Sequence, residues 1–288
     1  MTWSSSSGRI TSLSDFDDWR SGAFVMPGVA GTGLPDYTYY ADQSPAFDGS
    51  VIRGVRAGQR TITIPLHIWG LDRPLCLARF HRIVQDLNPA YGPGTLTFAE
   101  SDGSARRISA YYAGGMEIQD DDERTGRHWI TAILTFNAPS PFWSGQDETV
   151  TFQVGGGSDG FFPLLPWKVR DSQVLGAVKV FNLGEVDTYP VWTIKGPGAA
   201  ATITNATTGE SFVLTRTMSS SDTAVIDTRE GIKSALLNGS TNLWPSLNSS
   251  AVLWPLRPGS NDVGLTVTGT TGVSSVQLSY TPRYLTAY

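Results

Sequence analysis

The sequence predicts a mainly β protein built from antiparallel strands, with one α-helix and a β-hairpin in its first half. Three observations carry that expectation. Glycine and proline are abundant, 31 and 17 in 288 residues, while charged residues make up 16%; such a composition favours short strands and many turns. Apolar residues alternate in several runs, as one face of a pleated strand requires. A single segment repeats apolar residues at helical spacing.

The first sixty residues are rich in Gly, Ser and Pro, with Gly31-Thr32-Gly33 and Asp48-Gly49 as turn signals, and read as short strands joined by long loops. Next, Ile62, Ile64, Leu66 and Ile68 share one face of a strand. Pro65 falls on the other face and cannot donate to a ladder, which predicts an edge strand or a bulge. Asp72 is a good N-cap, Pro74 is tolerated in a first turn, and Asn88-Pro89 stops the helix between them. Cys76, Phe80, Ile83, Val84 and Leu87 form its apolar stripe. A hairpin follows, with Leu96 and Phe98 paired to Ile108 and Ala110 around Asp102-Gly103. Ile130, Ala132, Leu134 and Phe136 then alternate in a further strand.

The length suits two domains, and the expected division is 1–145 and 146–288. Gly155 to Gly160 is the best linker candidate, because consecutive glycines lose the most entropy when ordered; a boundary a few residues earlier, after Ala138 to Trp143, fits equally. Beyond it only strands are expected, at spacings that suit an antiparallel β-sandwich. Pro258-Gly259 fits the central positions of a type II turn.

Composition also excludes. The net charge is −5 with no basic block, so the sequence lacks the patch that nucleic-acid binding needs. Cys76 is alone, which rules out an intramolecular disulfide and a cysteine metal cage. The segment from Met1 to Arg9 has no apolar core and reads as no signal peptide. No apolar run approaches the ~20 residues of a membrane span, so no membrane insertion is expected, and synthesis in a cytoplasm is.

Four features invite a chemical reading. Gly156-Gly157-Ser158-Asp159-Gly160 matches a nucleophile elbow, but the segment after it cannot start a helix and no His follows His128. Asp120 to Glu123 is the densest acidic cluster, yet it lacks the spacing and glycine of a calcium loop and reads as a solvated hairpin tip. His67, His81 and His128 show no close pairing of the kind zinc sites use. No catalytic, cofactor-binding or metal residue is therefore expected. Of the tryptophans Trp167, Trp192, Trp244 and Trp254, Trp192 lies in an apolar strand and belongs to a core. Trp244 and Trp254 precede proline, where extended or turn backbone is favoured, and are candidates for glycan contact.

An ordered set of short motifs then points to a family. It comprises Asn182-Leu183-Gly184, Tyr189-Pro190-Val191-Trp192, Val225-Ile226-Asp227-Thr228, Leu256 to Asn261 and Val276 to Tyr284. Ile62 to Leu66, the helix around Arg79 and Leu87, Gly92 to Leu96 and Asn137 to Trp143 precede them in the right order. Over roughly residues 50–284 the chain resembles siphophage distal tail proteins, which join the tail tube to the tail-tip or baseplate apparatus.

The resemblance implies two β-sandwich domains, the second galectin-like or carbohydrate-module-like. It also implies a structural, non-enzymatic role without cofactors. Six copies would form a ring through the N-terminal domain, between tail tube protein and tail-tip hub protein, with a channel through which DNA passes. The location implied is the tail tip of a virion assembled in the host cytoplasm, with host cell-wall glycans as a further partner. The net acidic balance suits such a channel, since a basic lumen would retain DNA. Leu96, Phe98, Tyr111 and Tyr112 on the hairpin, with the edge at Pro65, are the expected ring contacts. The alternative reading is a carbohydrate-binding module attached to cell-surface glycans; a glycoside hydrolase would need two carboxylates in a cleft.

Overall fold

A computed structural model describes residues 1–14, 22–43, 45–46, 48–118, 128–153, 173–174 and 176–288. The acidic cluster Asp120 to Glu123, the glycine run around Ser158 and Trp167 lie outside the described residues. The chain divides into two compact units: Met1–Gly145 with Tyr284–Tyr288, and Gln146–Arg283. Among the described residues the fold is mainly β with one α-helix, as the composition and alternation led us to expect.

In unit 1 the strands are β1 (Thr2–Ser4), β2 (Ile10–Ser12), β3 (Ala23–Val25), β4 (Tyr37–Asp42), β5 (Val51–Ala57) and β6 (Arg60–Trp69), followed by α1 (Arg73–Asp86). After the helix come β7 (Gly94–Ala99), β8 (Ala105–Gly115), β9 (Trp129–Ala138) and β10 (Trp143–Ser144). One antiparallel sheet runs in the order β2-β1-β7-β8-β9-β6-β3. It curls because β8 serves two partners: its first half pairs β7 up to Ala110, and its second half pairs β9 from Tyr111 onward. A register shift between Tyr112 and Gly114 turns the strand, the usual role of a bulge. Gly115, at φ 99°, makes the turn possible, because a Cβ there would sit 1.7 Å from the Ile133 carbonyl oxygen.

The inward faces of β6 and β9 meet α1 and the β7–β8 hairpin in one core. Ile62, Ile64, Leu66 and Ile68 are all fully buried, as their alternation predicts. Asp72 Oδ1 accepts from the Leu75 amide at 2.8 Å and caps the helix, which lays Cys76, Phe80 and Ile83 on the core, with Leu87 just beyond. Val84 is exposed instead. At about 100° per residue it points well to one side of the Cys76–Phe80–Ile83 stripe. Trp3 plugs the same core, and its Nε1 donates to the Asp86 carbonyl at 2.8 Å.

Pro65 corrects one expectation. Its strand is not at the edge, because β6 pairs β9 along its whole length and β3 on its other side. The missing donor is tolerated there because the β3 side is interrupted. Pairing ends at Val25↔Leu66 and resumes only at the Ala30–Thr63 bridge.

Unit 2 is a two-sheet sandwich. Its strands are β11 (Glu148–Gln153), β12 (Gln173–Val174), β13 (Ala177–Asn182), β14 (Val191–Lys195), β15 (Gly198–Asn205), β16 (Glu210–Met218) and β17 (Thr223–Asp227). Then follow β18 (Ser234–Leu237), β19 (Thr241–Asn242), β20 (Gly259–Thr268) and β21 (Ser275–Tyr280). One sheet orders β12-β11-β21-β14-β17-β18-β19 and the other β13-β20-β15-β16. All pairs are antiparallel except β11 with β12. Trp192, Ile226 and Leu278 from the first sheet pack with Ile203, Phe212 and Val263 from the second. Gly259 has φ 86°, as the second central residue of a type II turn requires.

Buried polar pegs hold the turns of this sandwich. Asn182 Nδ2 donates to the carbonyls of Val186 and Leu256 at 3.2 and 3.1 Å. Thr228 Oγ1 donates to the Pro190 carbonyl at 2.7 Å, and Asn261 Nδ2 donates to the Arg257 carbonyl at 2.8 Å. Each sits inside a motif that carried the family resemblance. Those motifs are positions where a buried backbone acceptor needs a side-chain donor.

Candidate assembly surface

The expected ring contacts on the β7–β8 hairpin divide. Leu96 and Phe98 are 0% and 7% exposed, and both belong to the core of unit 1. They offer no surface to a partner, which corrects the expectation that a small sheet would leave them uncovered. The sheet curls over them, and Phe98 meets Trp143 edge-on at 5.0 Å. Tyr111 is exposed. Tyr112 is half-buried, and its hydroxyl donates to the Gly115 carbonyl at 2.7 Å. Burial and, secondarily, the charge of Glu117 raise its pKa.

The glycan candidates divide too. Trp254 is fully buried and meets Trp192 at 5.5 Å, so it cannot stack on a sugar. Proline after it favours extended backbone, but that says nothing about which way the ring points. Trp244 is 43% exposed, at the start of a single 3₁₀ turn.

A surface that the sequence reading missed is larger than either. Strands β4 and β5 pair with each other and with no other strand among the described residues. The Gly58 amide donates to the Asp36 carbonyl at 2.8 Å and closes the base of this ribbon. Its register sets Tyr37 opposite Ala57, Tyr39 opposite Val55 and Ala41 opposite Ile52, which places these six residues on one face. The other face carries Thr38 with Arg56, and Tyr40 with Gly54. Near the tip Arg53 and Asp42 form an exposed ion pair at 2.8 Å.

The apolar face is in water: Tyr39 is 62% and Ile52 58% exposed. A lone two-stranded hairpin is marginally stable in water, and a contiguous apolar patch of this kind marks an interaction site. A signal for the ribbon exists in the sequence. Tyr37, Tyr39 and Ala41 alternate ahead of the Asp48-Gly49 turn, but the bulge at Arg53 breaks the phase between Ile52 and Val55.

Comparison with known proteins places this geometry. Residues 183–284 match the family described as siphovirus-type tail component, C-terminal domain. The whole chain shares its fold with the SPP1 Dit (gp 19.1) protein, which is described as a paradigm of the hub adsorption apparatus in phages infecting Gram-positive bacteria. The TM-score is 0.70 at 13% identity, covering 99% of each chain. A chain of the phage P2 baseplate, in its activated conformation with Ca, aligns at TM-score 0.47 and 13% identity over 93% of this chain and 95% of that one. Among curated proteins none matches in sequence. The chain is Dit-like in fold, and the resemblance to siphophage distal tail proteins stands.

Proposed function

We propose that this protein is a structural hub at the distal end of a long, non-contractile phage tail, acting through geometry and not through catalysis. Six copies close a ring. One side meets the tail tube protein, the other meets the tail-tip hub protein, and the axial opening lets DNA pass.

The observation that carries this reading is the β4–β5 ribbon, within a chain that is Dit-like from end to end. Among the described residues no other strand pairs with the ribbon, and Tyr39 and Ile52 on its apolar face are exposed, so that face favours a partner surface. A second copy supplies that surface, and a heterologous contact repeated about a rotation axis closes into a ring. The main contact is thus the ribbon, with Tyr111 and Tyr112 as lesser candidates. The carbohydrate reading needs paired exposed rings, and of its two candidates only Trp244 offers one.

Light scattering on the full chain should give about 186 kDa, six times 31.0 kDa. Tyr39→Asp with Ile52→Asp should give a monomer with an unchanged circular dichroism spectrum. A wild-type chain that stays monomeric at high concentration refutes the ring.

A further inference from the structure

Arg60, the first residue of β6, is 3% exposed. Its guanidinium binds backbone carbonyls from three separate stretches of chain. Nε donates to Pro141 at 2.9 Å, Nη1 to Gly31 and Gly33 at 2.7 and 2.5 Å, and Nη2 to Leu285 at 2.8 Å. Only a planar fork of donors can satisfy such a set, which an ammonium cannot do.

The same place receives residues 284–288. The Ala287 amide donates to the Thr32 carbonyl at 2.9 Å, and the Tyr288 hydroxyl bonds Thr32 Oγ1 at 2.9 Å. Ala287 is buried, and Arg106 donates to the Thr286 carbonyl at 2.9 Å while lying 4.0 Å over the Tyr284 ring. Residues 284–288 are therefore a strap laid on unit 1, and they grip the loop from Gly31 to Gly33.

That loop leads straight into the ribbon. It is followed by Leu34, Pro35 and Asp36, and Arg60 follows the ribbon's other strand by three residues. Burial lowers the Arg60 guanidinium pKa, and the charge of Asp36 opposes that shift. Both ends of the ribbon thus enter a single knot, together with the strap.

We propose that Arg60 is a positioning residue for self-assembly: with the 284–288 strap it fixes the base of the β4–β5 ribbon, so that lifting the strap frees the ribbon. Along its length the ribbon's strands pair only with each other among the described residues. Its direction is decided at the base. A ring tolerates little error in that direction, because every contact repeats the same angle. The claim about assembly rests on the ring reading above; the claim about the ribbon does not.

The test uses the full chain and two variants that reach the knot from opposite sides. Arg60→Lys keeps the charge and loses the fork. Ala287→Arg leaves Arg60 intact and displaces the strap by bulk. Hydrogen exchange is followed at the ribbon base (residues 34–37 and 57–59), in dilute protein, and oligomer mass by light scattering. Both variants should speed exchange at the ribbon base, leave β14 and β21 of unit 2 as in wild type, and raise the concentration for half-assembly about tenfold. A merely structural loss would instead speed exchange throughout unit 1. Should Arg60→Lys fail to fold, Ala287→Arg decides alone. Faster exchange confined to 284–288, with the ribbon base unchanged, overturns the proposal. A monomeric wild type whose ribbon base still responds to Ala287→Arg refutes the ring and leaves the knot standing.

Discussion

Two β-hairpins of unit 1 are built from similar residues and end in opposite environments. The β7–β8 hairpin, from Gly94 to Gly115, is bound on both sides, by β1 and by β9, and its apolar face closes the core. The β4–β5 ribbon, from Tyr37 to Ala57, has neither neighbour, and its apolar face meets water. Apolar content alone does not distinguish a core hairpin from an assembly arm. What distinguishes them is whether a strand of the same unit lies alongside.

The sharpest break of this comparison pairs Leu96→Ala with Ile52→Ala. Removing a core leucine leaves a cavity and should cost about 2–5 kcal/mol in denaturant unfolding of unit 1. The ribbon substitution in dilute protein should stay within about 0.5 kcal/mol, as surface changes do. Equal losses at the two sites would mean that the ribbon is covered in the free chain.

A second pairing sets two arginines against each other. Arg106 in β8 grips Thr286 through its carbonyl and its hydroxyl and stacks on Tyr284. The Arg56 side chain in the ribbon has no hydrogen-bond or ion-pair partner among the described residues. Arg106→Ala should therefore cost about 1.5–3 kcal/mol, the usual worth of hydrogen bonds to a charged group. Arg56→Ala should change thermal stability little. If Arg106→Ala leaves the unfolding midpoint in place, the Arg106 contacts to the strap add nothing to the stability of unit 1.

Much of the fold was legible because its signals are local. The helix has its cap at Asp72 and its stop at Asn88-Pro89, and β6 and β9 alternate without interruption. The hairpin at Asp102-Gly103 needs only its turn, where Gly103 has φ 85°. What escaped is long-range. That residues 284–288 fold onto unit 1 depends on the Arg60 guanidinium, which donates to the Leu285 carbonyl, and on the Thr32 carbonyl, which accepts from the Ala287 amide; both partners are far away in sequence, and no local pattern encodes them. The ribbon has local signals, yet its exposure depends on which strands pair with it, and among the described residues none does beyond its own two. Trp244 and Trp254 share the same Trp-Pro dipeptide, and tertiary packing alone sends one outward and one inward.

The mildest contrast lies between the ribbon, whose tyrosines stand in water, and the outer face of β6, where aromatic rings cover a base. His67 lies 4.8 Å from the Phe24 ring and 5.5 Å from Trp129, with Thr131 Oγ1 3.4 Å from its Nδ1. Burial lowers its pKa below the ordinary imidazole value, because the charged form is poorly solvated there. The unfolded chain then binds the proton more readily than the folded one. Stability from this site is complete above the unfolded value, about 6.5, and is lost as the pH falls through the lower folded value. The site is partly open to water, so the loss is small. His67→Phe preserves the stack and removes the titration, so the variant should be relatively more stable than wild type at pH 5 than at pH 7. Thermal midpoints of the two proteins at both pH values check this. If the difference between wild type and variant does not change with pH, His67 is as freely protonated as a residue on the ribbon would be, and the cover over β6 is not what its ring distances imply.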